Sequence, residues 1–141
     1  GSIVPCIEVS TDEEFSRYGI LTGDEVRPGV MKMSGLVEKP GKAKAASNLA
    51  SVGGYLLTPD VFEYVEKGRA ALSDADEFYM TTYAIEPMIK DGKPFYGCAL
   101  KGGRYYDTGN KLEYLKTVVD FALQRDDIKE EFREYLQSVL E

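Results

Sequence analysis

Residues 30–39 form an apolar, strand-like run that stops at Pro40, and this stop constrains the fold more than any other feature. Proline lacks a backbone N–H and restricts the residue before it, so a strand ends or bends at such a point. The last two residues of the run are Glu38 and Lys39. The fold must therefore present a carboxylate and an ammonium side by side where a strand leaves its sheet.

Strand-like and helical runs are mixed along the rest of the chain. Further strands are predicted over residues 3–9, 17–21, 49–57 and 94–100, with turns over 22–25 and 27–29. Helices are predicted after the cap signature of residues 10–14, from residue 58, over 77–90, and from 110 onwards with a break at 126–127. The chain is therefore expected to have an α/β fold, with a mixed sheet and helices in one domain over residues 1–141.

Composition excludes several classes of function. With 17 basic and 24 acidic residues the net charge is −7, which argues against a nucleic-acid-binding protein. The chain has no histidine, so it cannot contain a Ser-His-Asp triad or a histidine metal site. No apolar run approaches the roughly 20 residues of a membrane span. Cys6 and Cys98 are expected to be free, buried thiols, which together with the lack of a membrane span predicts a cytoplasmic protein.

Glu38 and Lys39 have two interpretations. A carboxylate can accept hydrogen bonds from sugar hydroxyls, and an ammonium can neutralise a phosphate as a point charge. Side chains alternate along a strand, so both groups reach one ligand only if the strand end bends, which Pro40 favours. The alternative is a solvated ion pair at the end of a strand. The dipeptide alone does not decide between a phosphosugar site and a surface pair.

Asp107 also has two interpretations. It lies in the polar run of residues 104–110, just before a predicted helix, where a carboxylate can bind a Mg²⁺ that bridges substrate phosphates. The alternative is a helix N-cap, a role that Asp often fills. One carboxylate is too few to hold Mg²⁺ firmly. A metal site at Asp107 would therefore need an acid from elsewhere.

Two glycine positions are further candidates for ligand contacts. The amide of Gly19 can contact a ligand hydroxyl, or the glycine can simply end a turn. Gly54, in the pair Gly53-Gly54, can allow a ligand to approach the backbone closely, or can mark a β-bulge. Spacing alone leaves both pairs of alternatives open.

The motifs taken together resemble a known family. In order they are Arg17-Tyr18-Gly19, Val37-Glu38-Lys39-Pro40, Ser47-Asn48-Leu49-Ala50, Val52-Gly53-Gly54-Tyr55, Tyr106-Asp107-Thr108-Gly109-Asn110 and Phe132-Arg133-Glu134-Tyr135-Leu136. This series, over nearly the whole chain, resembles the C-terminal half of the bacterial UTP–glucose-1-phosphate uridylyltransferases, which are sugar nucleotidyltransferases. Because several motifs in one order are more specific than any single motif, the resemblance favours the ligand-binding interpretations of Glu38, Lys39 and Asp107.

The resemblance implies both an activity and site residues. The family makes UDP-glucose and pyrophosphate from UTP and glucose 1-phosphate with Mg²⁺ as cofactor, on a Rossmann-like fold of the nucleotide-diphospho-sugar transferase type. By motif, Glu38 would bind glucose hydroxyls, and Lys39 would bind the sugar phosphate as the catalytic cation. Gly19 and Gly54 would supply backbone contacts. Asp107 would be one of two Mg²⁺ carboxylates. The chain would be the sugar-phosphate-binding half, with neither nucleic acid nor membrane as a partner.

The sequence also departs from the family pattern. The glycine-rich nucleotide loop of the family belongs to an N-terminal half that these residues do not match, so the fragment alone is expected to be inactive. Before the middle helix, Tyr79 and Thr82 stand where the family usually has Gln and Asp. Two alternatives therefore remain, a non-catalytic sugar-phosphate-binding module and a related nucleotidyltransferase with another nucleotide or sugar. A homo-oligomer is expected, formed through the strand edge of residues 3–9 or the C-terminal helices.

Overall fold

The computed structural model describes residues 1–140, and the chain divides into two compact units. Unit 1 is Gly1–Gly103, and unit 2 begins at Arg104. The strands of unit 1 are β1 (Ser2–Glu8), β2 (Gly19–Arg27), β3 (Val30–Glu38), β4 (Leu49–Ser51) and β5 (Phe95–Ala99). Its α-helices are α1 (Asp12–Arg17), α2 (Val61–Ala70) and α3 (Glu86–Lys90), and unit 2 contains α4 (Lys111–Ala122) and α5 (Lys129–Leu140). The predicted α/β class is confirmed.

The five strands form a closed barrel in the order β1-β4-β2-β3-β5. The closing pair, β5 with β1, is parallel, and the other neighbouring strands are antiparallel. The mixed sheet expected from the sequence is therefore present. The expectation that residues 3–9 offer a free strand edge is wrong, because β1 pairs with β5 on one side and with β4 on the other. Pro5 can lie within β1 because the strand is paired only with β5 at this residue. The pairing with β4 begins one residue later, at Cys6.

Two apolar clusters stabilise unit 1. The larger one joins the barrel to α2 and to the helical turns of residues 81–90, and includes Val4, Leu21, Ile85, Met88 and Phe95. The smaller one packs α1 on the barrel through Val9, Phe15, Ile20 and Ala50. Burying a side chain of this size contributes roughly 1.5–3 kcal/mol. These clusters fix α1 and the ends of β2 and β4 in one arrangement.

Strand β2 is longer than the sequence predicts. Residues 22–25 were expected to form a turn, but β2 continues to Arg27, and the register shifts between Thr22 and Gly23. Gly23 has φ +150°, and a Cβ there would lie 2.0 Å from the carbonyl oxygen of Lys32. The turn-like composition therefore marks a β-bulge instead of a chain reversal. The reversal itself lies at Pro28-Gly29, as predicted.

Two predicted helix starts are also wrong. Helix α2 begins at Val61 with Asp60 at the N-cap position, and the Thr58 hydroxyl bonds the Asp60 carboxylate instead of capping the helix. Residues 77–79 precede the next helix, in which Met80 is already helical, a π-helical turn spans Thr81–Ile85, and α3 follows. The predicted cap of α1 is confirmed as a capping box, in which Thr11 and Glu14 each accept from the other's backbone.

Unit 2 consists of a polar segment and two amphipathic helices. Asn110 caps α4 by accepting from the amides of Leu112 and Glu113. The helices leave several large apolar side chains exposed to solvent, namely Leu112, Leu115, Phe121, Tyr135 and Val139. Both helices of unit 2 therefore present large apolar side chains.

The two cysteines do not form a disulfide. Cys6 and Cys98 are both free, as expected; Cys6 is fully buried, but Cys98 is only partly buried. Burial raises the pKa of the Cys6 thiol to about 12, so this group stays protonated. Among residues 1–140, no helix has both the length and the apolar character that crossing a membrane requires.

Candidate functional site

The site begins with a row of residues across three strands at one end of the barrel. Gly19 opens β2 and pairs with Glu38, the last residue of β3, and also with Ser51, the last residue of β4. The register therefore places the exits of β3 and β4 on either side of Gly19. Residues that follow these two exits, Lys39 and the pair Gly53-Gly54, leave the barrel at this same end.

The strand end bends at Lys39, one residue before the proline. Lys39 has φ +47°, and it is the one non-glycine residue with positive φ among the described part of the chain. A residue before proline normally adopts extended backbone, so this conformation is strained. The bend turns the Lys39 side chain toward that of its neighbour, and Lys39 Nζ lies 3.6 Å from Glu38 Oε1. The two charged groups therefore lie on one side of the chain.

The Glu38–Lys39 pair is open to solvent. The side chains are 66% and 59% exposed, respectively, so the ion pair lies in high dielectric and is worth no more than about 1 kcal/mol. A ligand that offers hydroxyls to Glu38 and an anion to Lys39 can replace this weak pair. The arrangement is suited to a phosphorylated polyol, with the carboxylate accepting hydrogen bonds and the ammonium neutralising the phosphate.

Gly19 is needed where it stands because of close packing. A Cβ on Gly19 would lie 2.8 Å from Leu36 Cδ2 and 2.9 Å from Glu38 Oε2. The absence of a side chain therefore leaves room for the Glu38 carboxylate above the start of β2. Gly19 directly follows Tyr18, the C-cap residue of α1, and is the first residue of β2. A contact between its amide and a ligand stays a prediction.

Gly54 lies just beyond the end of β4 in an exposed segment. Gly53 and Gly54 both have φ +78°, and a Cβ on either would meet nothing within 4 Å. The β-bulge interpretation is wrong, because β4 already ends at Ser51. Positive φ, not crowding, is the reason for glycine at these two positions. The backbone here is open to a ligand.

Asp107 lies in unit 2, where its segment is fixed to α4. Its carboxylate accepts from the amide of Gly109 at 3.1 Å. The interpretation of Asp107 as the helix cap is wrong, because Asn110 caps α4. Nearby, the Tyr106 ring packs against Phe121 at 5.3 Å, and Arg104 pairs with Asp120. The approach of Asp107 to Lys39 stays a prediction.

A magnesium site needs more donors than this carboxylate. Among residues 1–140 there is no cluster of three or more acidic or cysteine side chains that could hold a metal ion. Asp107 is of the right chemistry for Mg²⁺, which binds through one or two carboxylates and completes its shell with phosphate oxygens and water. A role of Asp107 as a Mg²⁺ ligand therefore stays a prediction.

Sequence reasoning missed the backbone contacts that hold the site. The amide of Lys39 donates to the carbonyl of Tyr18 at 3.2 Å, and the amide of Gly41 donates to that of Phe15 at 3.1 Å. The pre-proline rule predicted extended backbone at Lys39, so no local signal pointed to its left-handed conformation. In the segment that departs from the family pattern, the Tyr79 hydroxyl donates to the Glu77 carboxylate. The structure gives no contact between this pair and Glu38.

Comparison with known proteins gives the family. The model of the nucleotidyl transferase family matches residues 2–124. The chain belongs to the nucleotidyl transferase family. It is 37% identical over 125 residues to a UTP–glucose-1-phosphate uridylyltransferase of Streptococcus pneumoniae, covering 88% of this chain and 40% of that protein. Its identity to the corresponding Staphylococcus saprophyticus protein is 34% over 139 residues, covering 99% of this chain and 47% of that one.

Solved structures agree with this nucleotidyl transferase assignment. A UDP-glucose pyrophosphorylase complexed with UDP-glucose matches 88% of this chain and 45% of its own, with a TM-score of 0.71 and 34% identity. The fold is therefore that of these transferases, as the motif order implies. The chain spans less than half the length of the curated relatives it matches. The activity of a whole transferase is accordingly a proposal for this chain.

Proposed function

We propose that this chain is the sugar-phosphate-binding, C-terminal portion of a UTP–glucose-1-phosphate uridylyltransferase. Relatives with that name match 88% and 99% of the chain. The motif order from Gly19 to Asp107 supports the C-terminal assignment. The substrate of this portion is glucose 1-phosphate, and UTP binds mainly through residues outside it.

The proposed reaction is the transfer of a uridylyl group. A phosphate oxygen of glucose 1-phosphate attacks the α-phosphorus of UTP in line, the bond from that phosphorus to the β-phosphate oxygen breaks, and pyrophosphate leaves. No proton needs to be removed from the attacking oxygen, so catalysis consists mainly of positioning and charge neutralisation. Glu38 holds the glucose hydroxyls, and Lys39 holds the sugar phosphate as the catalytic cation. The Gly19 and Gly54 backbones contact the sugar.

Mg²⁺ is proposed as the cofactor, with Asp107 as one of its two carboxylate ligands. The ion would neutralise charge on the nucleotide phosphates. What supports this role is the chemistry of a single carboxylate that does not cap its helix. The second carboxylate belongs to residues outside this chain.

One observation carries the proposal more than the rest. Glu38 and Lys39 converge to 3.6 Å at a strained strand exit, beside a glycine whose missing side chain leaves room for the carboxylate. Strain in a non-glycine backbone persists where surrounding structure enforces it, often at functional sites.

Location and assembly complete the proposal. We propose a cytoplasmic protein, since its substrates are phosphorylated metabolites of the cell interior. We also propose a homo-oligomer through the exposed apolar faces of α4 and α5, the interface that remains once the β1 edge is excluded.

The proposal is tested by two measurements on the chain as it stands. Calorimetric titration should show saturable binding of glucose 1-phosphate and no comparable binding of UTP. An assay for pyrophosphate release with UTP, glucose 1-phosphate and Mg²⁺ should show no turnover. Turnover by this chain, or binding of UTP without binding of the sugar phosphate, would contradict the assignment.

A further inference from the structure

Helix α1 holds the loop that carries Lys39 at three points. The Lys39 amide donates to the Tyr18 carbonyl and the Gly41 amide donates to the Phe15 carbonyl, at 3.2 and 3.1 Å. The third point is Lys42, whose Nζ donates to the Ser10 carbonyl at 3.1 Å and lies 3.5 Å from Asp12 Oδ1. These contacts hold the loop along the whole of α1, from Ser10, which precedes the helix, to Tyr18, which follows it.

Helix α1 is itself firmly anchored. Its capping box joins Thr11 and Glu14, and hydrogen bonds from the amides of Ser10 and Thr11 lower the pKa of the Glu14 carboxyl. Its one buried side chain, Phe15, packs in the smaller apolar cluster, against which Ala45 at the far end of the loop also packs. Because α1 is held in place, its contacts with the loop hold the loop in place as well.

The contacts between the loop and α1 explain how Lys39 keeps its unfavourable backbone conformation. A lysine before proline does not adopt φ +47° by its own preference. Hydrogen bonds on both sides of Pro40, from Lys39 and from Gly41, oppose relaxation of the turn toward extended backbone. If the turn relaxed, the side chains of Glu38 and Lys39 would diverge, as side chains on a regular strand do.

We propose that Lys42 and Asp12 are positioning residues for the Glu38–Lys39 site. The ion pair between them fastens the loop after Pro40 to the first turn of α1, and so keeps the Lys39 ammonium beside the Glu38 carboxylate. They act through the loop and do not contact the ligand. The inference deepens the proposed function and depends on it for the identity of the ligand.

The competing explanation is that Lys42 binds the sugar phosphate directly. The two explanations differ in what Asp12 does. If Lys42 works through Asp12, neutralising Asp12 weakens binding as neutralising Lys42 does, and neutralising both adds nothing to the effect of Lys42→Gln, which also breaks the bond to the Ser10 carbonyl. If Lys42 contacts the phosphate, Asp12→Asn frees the ammonium, and binding is unchanged or tighter.

The first measurement needs no ligand. Amide hydrogen exchange at Lys39 and Gly41 is measured by NMR in the full chain and in Lys42→Gln, Asp12→Asn and the double variant. We expect both amides to exchange faster in all three, by a similar factor in Lys42→Gln and the double variant and by a smaller one in Asp12→Asn, which keeps the bond from Lys42 to Ser10. Lys42→Arg should restore slow exchange, because a guanidinium can bond the same carbonyl and carboxylate. Unchanged exchange in both single variants would overturn the inference.

The second measurement is a glucose 1-phosphate titration of the same variants. Each should bind roughly two- to fivefold more weakly, the range expected for an exposed ion pair. Asp126→Asn, which breaks the exposed pair with Lys129 in unit 2, is the matched control and should bind as the parent does. Weaker binding in Lys42→Gln but not in Asp12→Asn would overturn the positioning role. Failure of the parent chain to bind would contradict the proposed function instead, while the exchange data would still decide whether α1 fixes the loop.

Discussion

Gly19 lies directly opposite Glu38 in the β2–β3 ladder, and a Cβ on Gly19 would come within 2.9 Å of the Glu38 carboxylate. The relationship links an element of the barrel to a group that we propose to bind sugar hydroxyls. The space that the carboxylate occupies depends on the absence of a side chain one strand away. A substitution at Gly19 is therefore a sensitive test of the proposed site.

Gly19→Ala should displace the Glu38 carboxylate and weaken binding of glucose 1-phosphate. The new methyl group would also press on Leu36 Cδ2, at an overpacking cost of about 1 kcal/mol, because both contacts are ends of flexible side chains. Calorimetric titration and thermal unfolding measure the two effects. Gly35→Ala is the control, since a Cβ there meets only the Thr22 hydroxyl, at 3.1 Å. Equal binding by the parent and Gly19→Ala would contradict the coupling between Gly19 and the position of the Glu38 carboxylate.

Lys39 should contribute to ligand binding and, because of its positive φ, lower the stability of the fold. Lys39→Gly and Lys39→Ala both remove the ammonium, and each should lose about 1.5–3 kcal/mol of binding free energy toward glucose 1-phosphate. Only glycine relieves the positive φ, so Lys39→Gly should be more stable to denaturant than Lys39→Ala by about 1 kcal/mol. Chemical unfolding of the two variants measures the difference. Equal stability would mean that position 39 is unstrained in solution.

Part of this arrangement follows from the sequence, and part does not. The end of β3 before Pro40, the capping box of α1 and the free thiols arise from neighbouring residues or from composition, so local chemistry predicts them. Closure of the barrel depends on the parallel pairing of β1 with β5, two strands far apart in sequence, which no local pattern encodes.

The same distinction applies to the site. Adjacent Glu38 and Lys39 could be identified from the run that ends at Pro40. The hydrogen bonds from Lys39 and Gly41 to α1 could not, because they join carbonyls and amides that every residue carries. At Gly23 the sequence predicts a turn where the structure has a bulge, because glycine beside polar residues is typical of both.

The ion pair between Asp60 and Lys93 should make stability depend on pH at the acidic end. Hydrogen bonding from Lys93, followed by that from Thr58, lowers the pKa of the Asp60 carboxyl below its ordinary value of 3.8. A lowered pKa in the folded state gives stability that is present above 3.8 and is lost as pH falls through the folded value.

The parent chain should therefore lose its stability advantage over Asp60→Asn below about pH 3.8 and keep it at neutral pH. Urea unfolding across a pH series measures this. Asp126→Asn, in an exposed pair of unit 2, controls for general charge effects. A stability difference that stays constant down to pH 2 would exclude a role for ionised Asp60.

Cys6 should be chemically inert while the chain is folded. It is fully buried, and burial raises the pKa of its thiol to about 12, so very little thiolate forms near neutral pH. In Cys98→Ser, a thiol-specific disulfide reagent at pH 8 should label no cysteine until denaturant unfolds the chain. Rapid labelling under native conditions would show that the β1–β5 side of the barrel opens readily.

The proposed function requires above all that Glu38 and Lys39 bind one sugar phosphate at the Gly19 end of the barrel. The direct measurement is an NMR titration of the full chain with glucose 1-phosphate and, separately, with inorganic phosphate. We predict saturable shifts at the amides of Gly19, Lys39 and Gly41, tighter binding of the sugar phosphate than of phosphate alone, and loss of that preference in Glu38→Gln. Shifts confined to other parts of the chain, or a preference that Glu38→Gln leaves unchanged, would contradict the claim.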